Sequence, residues 1–242
     1  MEYLLILIII AFATVSYYIQ KKDMELLCSV TSPKRGTRAE RRLIIRMLRN
    51  GVHPKAIFHD LYLQKNNGNY SQIDIVVATP QGLISIEVKK YSGWLFGSEY
   101  QKYWTQILNY GQEKYRFYNP IKQNEGHIKA LREQSEQFDK LPIYNIVLFA
   151  GDCTLKDVSY NSRGVFVGYD SNIMRIINSV NQLNIANYTD KKEIYRVLKN
   201  AVRNGDNVDI VTSHIAKVRR YSINQPEPSI NLMINWRRFF RF

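Results

Sequence analysis

The first apolar run of the chain is continuous. Tyr3 to Ile19 (YLLILIIIAFATVSYYI) carries no charged residue, and as a helix it would measure about 25 Å, at the short end of what crosses a bilayer. It is apolar all round rather than along one stripe, which predicts a membrane helix in preference to a core helix. Tyr17 and Tyr18 end the run, and Lys21 and Lys22 follow directly. That basic flank predicts a C-terminal side in the cytoplasm. A cleaved signal peptide is the rival: Ala11-Phe12-Ala13 resembles a cleavage site, but no basic region precedes the run. Leu27 before Cys28, where a small residue is needed, excludes a lipoprotein signal. Residues 1–20 thus read as a transmembrane anchor. Residues 21–36 read as a linker ending in Ser32-Pro33-Lys34-Arg35-Gly36.

Helical spacing begins next. Thr37-x-x-Glu40 is a capping box and Gly51 a C-terminal stop. Glu40, Ile44, Met47 and Leu48 share one stripe, while Arg38, Arg41, Arg42, Arg46 and Arg49 take the other side. Strand patterns follow at 56–63, 71–79 and 83–89, with a turn at 65–69 and Thr79-Pro80-Gln81-Gly82 joining the last two. Residues 90–118 predict short strands with a turn at Asn109-Tyr110-Gly111. Asn119 as N-cap and Pro120 at the first helical position open a helix running to about Asp139. Ile143 to Ala150 is a near-continuous apolar strand of the kind found inside sheets. A short strand is expected at 164–168, with helices at 170–180 and 190–203. Helix, three-stranded antiparallel meander, helix, strand is an α/β layer order. Residues 151–242 read as an extension of that core or a small subdomain. Its basic, aromatic tail includes Arg237-Arg238-Phe239-Phe240-Arg241-Phe242, suited to lipid or to disorder.

Composition narrows the partners. Of 242 residues, 45% are hydrophobic, enough for a packed core and unlike a disordered chain. Lys and Arg number 34 against 21 Asp and Glu, a formal net charge of +13. That field favours polyanions: nucleic acid or an anionic membrane face. Cys28 and Cys153 fit no metal or disulfide spacing and read as reduced thiols.

Three charges interrupt the best strands. Asp74, Glu87 and Lys89 lie within QIDIVV and IEVKK, and a buried charge must be paired or bound to metal. A loop of two or four residues centred on Pro80-Gln81 pairs positions that sum to 161, which sets Asp74 opposite Glu87 with Cβ atoms about 5 Å apart. Lys89, two residues on, shares that face. A three-residue loop bulged at Gly82 would send Asp74 to the other face. Facing carboxylates repel unless a cation lies between them. Oxygen ligands suit Mg²⁺ or Mn²⁺, completed by water and a substrate phosphate, and such an ion acidifies water for attack. The bland alternative is a solvated edge: Asp74 in a turn, Glu87 and Lys89 as an exposed pair.

These residues resemble the nuclease-related domain, NERD, within the PD-(D/E)XK nuclease superfamily. The resemblance runs through the Asp of QIDIVV, the Pro-Gly turn, the E-V-K of IEVKK, Gly93-Trp94 and Tyr118-Asn119-Pro120-Ile121-Lys122-Gln123-Asn124, over about residues 36–150. It implies a restriction-endonuclease-like core over 37–150, behind a membrane anchor common in that family. It further implies Asp74 and Glu87 as metal ligands, with Lys89, Glu40 and Gln123 as catalytic residues. Glu40 has a competing role in the capping box, and Gln123 as a plain first-turn residue. Family members often carry His after the Asp; here it is Ile75. Gln106-x-x-x-Tyr110 mimics another superfamily motif, but its neighbours alternate as a strand. Arg38, Arg41 and Arg42 are expected DNA contacts. His53, His59, His127 and His214 are scattered and form no ligand pair, and Trp94 and Trp104 read as packing residues. The expected function is a membrane-anchored, Mg²⁺- or Mn²⁺-dependent nuclease acting on DNA. The alternative is a tethered module of the same fold that binds nucleic acid or a partner without cutting.

Overall fold

The computed structural model describes residues 2–223. The Arg237–Phe242 segment of the tail lies outside them. Helices are α1 (Glu2–Cys28), α2 (Arg38–Arg49), α3 (Pro120–Arg132), α4 (Glu136–Lys140), α5 (Ile173–Asn181), α6 (Lys191–Asn204) and α7 (Val208–Ile223). Strands are β1 (Ile57–Gln64), β2 (Tyr70–Thr79), β3 (Gly82–Lys90), β4 (Gly93–Ser98), β5 (Tyr103–Leu108), β6 (Glu113–Tyr118), β7 (Ile143–Ala150), β8 (Cys153–Ser159) and β9 (Val165–Tyr169). The fold is mixed α/β, with the helix, antiparallel meander, helix, strand order read from the sequence.

The first sheet has the order β1-β2-β3-β7-β9; the second has β6-β5-β4-β8. β1, β2 and β3 pair antiparallel, and β3, β7 and β9 pair parallel. One face of the first sheet packs Leu43, Ile44 and Met47 of α2 and Ile173 and Ile177 of α5 on Ile75, Ile84, Ile86 and Ile146. The other packs α3, α4 and α6 on Leu61, Ile73, Val76 and Leu83. A third cluster joins Leu95, Trp104 and Phe117 of the second sheet to Ile121, Val147 and Phe149. Trp104 is thus the packing residue expected of it.

Four expectations need correction. The linker expected over residues 21–36 is shorter, because α1 runs unbroken to Cys28. Leu27 buries into the first core and Arg49 Nη2 pairs with Asp23 at 2.6 Å, so the helix has tertiary partners after its apolar run. The helix expected to reach Asp139 stops at Arg132, since Ser135 is extended (φ −168°, ψ 165°) and starts α4. β8 was not expected; its alternation is weak, and pairing with β4 rather than its own pattern makes it a strand. Nor was α7, whose residues beyond 219 were read as tail.

In β1 and β2 the alternation of faces breaks at one level. Phe58 and Val76 lie on the α6 side by even numbering, Leu61 and Ile73 by odd. The switch falls at Asp60 and Asp74, opposite each other between the pairs His59–Ile75 and Leu61–Ile73. Asp60 adopts the left-handed φ of 55°, a conformation that Asp tolerates better than most residues. Arg35 holds it there, Nε to Oδ2 at 3.2 Å and Nη2 to the carbonyl at 2.7 Å, and Gln72 Nε2 donates to Oδ1 at 2.9 Å.

α3 is fixed from within. Asn119, fully buried, caps it by accepting from Ile121 N at 2.9 Å and donates to the Glu99 and Gln101 carbonyls of the second sheet's hairpin. Asn124 Nδ2 donates to the Ser85 carbonyl at 2.9 Å and to Asn145 Oδ1 at 2.8 Å, while its Oδ1 accepts from Ser85 Oγ at 2.7 Å. Removing the Asn124 amide leaves those buried groups unpaired, at about 1–3 kcal/mol. Asn124→Leu should therefore lower the thermal midpoint by roughly 5–10 °C in a calorimetric scan.

Candidate active site

The β2–β3 ladder ends at the pair Ile75–Ile86. Its register sums to 161, with Thr79 paired to Gly82 and a two-residue loop. Gly82 has a φ of 134°, and a Cβ there would meet the Pro142 carbonyl at 2.2 Å. One residue past the ladder's end, Asp74 Oδ2 accepts from Val88 N at 2.9 Å. β2 thus leaves β3 at the level of Glu87, and β3 continues paired to β7 alone. Ser85, Glu87 and Lys89 face α3; Ile84, Ile86 and Val88 face the core under α2.

Glu87 is buried, and three side chains gather at it. Lys89 Nζ lies 2.7 Å from Oε1. Gln123 Nε2 donates to the same oxygen at 2.8 Å, and Lys89 Nζ donates to Gln123 Oε1 at 2.9 Å. His127 Nε2 lies 3.3 Å from Oε2, in ion-pair range, though no hydrogen bond reaches that oxygen. His127 Nδ1 is 2.9 Å from Ser71 Oγ on β2. Burial pushes the Glu87 carboxyl up, but the Lys89 ammonium and the His127 ring outweigh it and hold it down at about 2. Burial pulls Lys89 down; Glu87 first, with Tyr91 and Asp74, raises it above its ordinary value. Asp74 is the smallest of these contributions.

Gln123, in the first turn of α3, is hydrogen-bonded to both Glu87 and Lys89. His127 was missed. The available signal was spacing: Gln123 and His127 are four residues apart on α3 and share a helix face. Glu40 forms its capping box, Thr37 N to Oε2 at 3.2 Å and Thr37 Oγ1 to Oε1 at 2.6 Å, and His59 Nε2 lies 3.0 Å from Oε2. His59 is the satisfied core histidine, resting also on Thr31 Oγ1 at 2.8 Å. His53 caps a turn and His214 sits against the Tyr70 carbonyl. Arg38 and Arg42 are exposed, while Arg41 Nη1 is committed to the Arg35 and Gly36 carbonyls at 2.9 and 2.8 Å. Gln106 lies in strand β5 and donates to the Ser92 carbonyl at 2.8 Å.

Among the described residues no group of three or more His, Cys, Asp and Glu converges as a ready metal cage. The donor set still fits a hard cation that needs only one or two carboxylates and keeps several waters. Asp74 and Glu87 would supply the carboxylates, and at the buried Glu87 Oε2 the neighbouring group is the His127 ring at 3.3 Å.

A buried carboxylate that loses its cation is costly, about 3–5 kcal/mol when fully desolvated and less where the partner is partly exposed, as Lys89 is. In chelator, Lys89→Met should destabilise the protein by about 2–4 kcal/mol by denaturant titration. Adding Glu87→Gln should recover much of that loss. Because the Glu87 carboxyl is held at about 2, its contribution is complete above pH 4.5 or so and fades as pH falls towards 2. The stability gap between Lys89→Met and wild type should therefore be widest above about pH 4.5 and narrow as pH falls towards 2.

The model of the nuclease-related domain, NERD, matches residues 35–150. An uncharacterised protein of Bacillus anthracis is 32% identical over 185 residues, covering 76% of this chain and 84% of that protein. No solved structure matches. With Asp74, Glu87, Lys89 and Gln123 gathered where β2 parts from β3, inside the matched span, this chain belongs to the nuclease-related domain family.

Proposed function

We propose that the protein is a membrane-anchored, metal-dependent nuclease that hydrolyses DNA phosphodiesters. The observation that carries this reading is the buried Glu87 with Lys89 on one oxygen, the His127 ring at 3.3 Å from the other, and Asp74 one residue past the end of the shared ladder. Asp74 and Glu87 would hold Mg²⁺ or Mn²⁺. Such an ion neutralises phosphate charge and makes water more acidic. Lys89 places its ammonium beside the scissile phosphate, where it stabilises developing negative charge. Gln123 fixes that ammonium by accepting from it and fixes Glu87 by donating to it. Glu40 is the proposed outer acidic residue, in contact with His59 of β1, the strand paired with the one that carries Asp74. Arg38 and Arg42 are the proposed contacts to the polyanion; Arg41 braces the preceding loop.

Among the described residues one helix, Tyr3–Cys28, is long and apolar enough to cross a membrane, and its apolar stretch is exposed. We place the globular part on the cytoplasmic side because Lys21 and Lys22 follow the span. A second reading, binding without cleavage, rests on one observation: Glu87 Oε1 is already engaged by Lys89 and Gln123.

The purified full-length protein, incubated with supercoiled plasmid and Mg²⁺ or Mn²⁺, should nick it. Asp74→Asn, Glu87→Gln and Lys89→Ala should each slow cleavage about a hundredfold or more. Plasmid left intact with either ion, or cut equally by Asp74→Asn, leaves the binding module as the correct reading. In sealed vesicles of known orientation, protease added from outside should spare the globular part when the cytoplasmic side faces in.

A further inference from the structure

The two faces of the second sheet differ sharply. Leu95, Trp104 and Phe117 point into the core, and Gly97 shares their parity, since a Cβ there would strike the Trp104 ring at 2.3 Å. The opposite parity points outward. There Trp94 pairs with Ile107, Phe96 with Thr105, and Tyr103 with Tyr118, while Arg116 lies opposite Thr105. None of these outward side chains is fully buried. Of the two tryptophans expected to pack, Trp104 is enclosed and Trp94 is half-buried.

Cations crowd these rings. Lys156 Nζ is 5.2 Å from the Trp94 ring centre, and Lys102 Nζ and Arg116 Cζ lie 5.4 and 5.3 Å from that of Tyr103. Asp157, opposite Phe96, is the carboxylate among them. These cations lie over the rings, and when their flexible side chains swing to phosphates the rings meet flat bases by stacking. A duplex hides its base faces, so a single strand is the form that can use the rings. The place suits the task. β4 starts at Gly93, three residues after the last residue of β3, so the surface begins within a few residues of Lys89.

We propose that the outward face of β4, β5 and β6 is a platform for single-stranded nucleic acid, with bases stacking on Trp94 and Tyr103 and phosphates paired to Lys102, Arg116 and Lys156. The choice of nucleic acid over another polyanion rests on the phosphodiester reading of the neighbouring site.

The test uses full-length protein in zwitterionic nanodiscs with EDTA, so that cleavage plays no part. The probe is a labelled oligodeoxythymidylate of about 16 nucleotides, followed by fluorescence anisotropy. Wild type should bind it, and Trp94→Leu and Tyr103→Leu should each weaken binding roughly tenfold or more. Trp94→Phe, which keeps a stacking ring, should retain most of the affinity. Absence of single-strand binding, equal affinity in Trp94→Leu, or a preference for the matching duplex overturns the platform. So does a Trp94→Leu defect confined to phosphatidylserine vesicles, which would make the face a lipid surface. If plasmid is never cut yet the anisotropy pattern holds, the platform stands and the nuclease reading falls.

Discussion

A single buried charge organises the centre of this molecule. Glu87 sits in the strand with covered faces on both sides, where an unpaired carboxylate would cost several kcal/mol. Everything adjacent answers that cost. Lys89 comes from the same strand two residues on, Gln123 and His127 from α3, and Ser71 from β2 holds His127. Two of these groups lie on one helix, so α3 must dock in one rotation and one register. The buried amides of Asn119 and Asn124 enforce that docking from either side of Gln123. A polar network with most of its members satisfied specifies geometry that apolar packing alone leaves loose.

The second constraint lies in the backbone. Asp60 and Asp74 face each other where β1 and β2 exchange their buried and exposed sides. One carries a left-handed φ, and the other turns its carboxylate onto the amide of Val88. Arg35 braces the strained residue and reaches Asp206, beyond α6, at 3.2 Å. Loop, strand and C-terminal helices are thereby tied to the point where β2 and β3 separate. Residues 151–223 supply an edge strand to each sheet and helices to both faces of the first, so the matched span shares its core with them.

The long apolar helix does not hang on a loose tether. Residues 20–28 continue it by about 13 Å. Within that stretch Asp23 pairs with Arg49 and Leu27 enters the core under α2. Whatever holds the apolar end also orients the globular part through α2, because a rigid helix transmits direction where a flexible linker cannot.

Local chemistry was legible in the sequence. The capping box at Thr37 and Glu40, the Asn119-Pro120 helix start and the apolar β7 run are each decided by residues within a few positions of one another. The β2–β3 register from Ile75–Ile86 to Thr79–Gly82 was legible for the same reason, since a hairpin's loop fixes which residues face. What only the tertiary structure decided involves partners far apart in the chain. β8 is a strand because β4 lies beside it. Ser135 breaks a helix whose pattern ran on. His127 joins Glu87 because α3 packs across β3. Trp94 faces out while Trp104 faces in because of how one sheet lies on another core. Turn and cap energies are local and can be read residue by residue, whereas burial and pairing across long separations exist only once the chain has closed on itself.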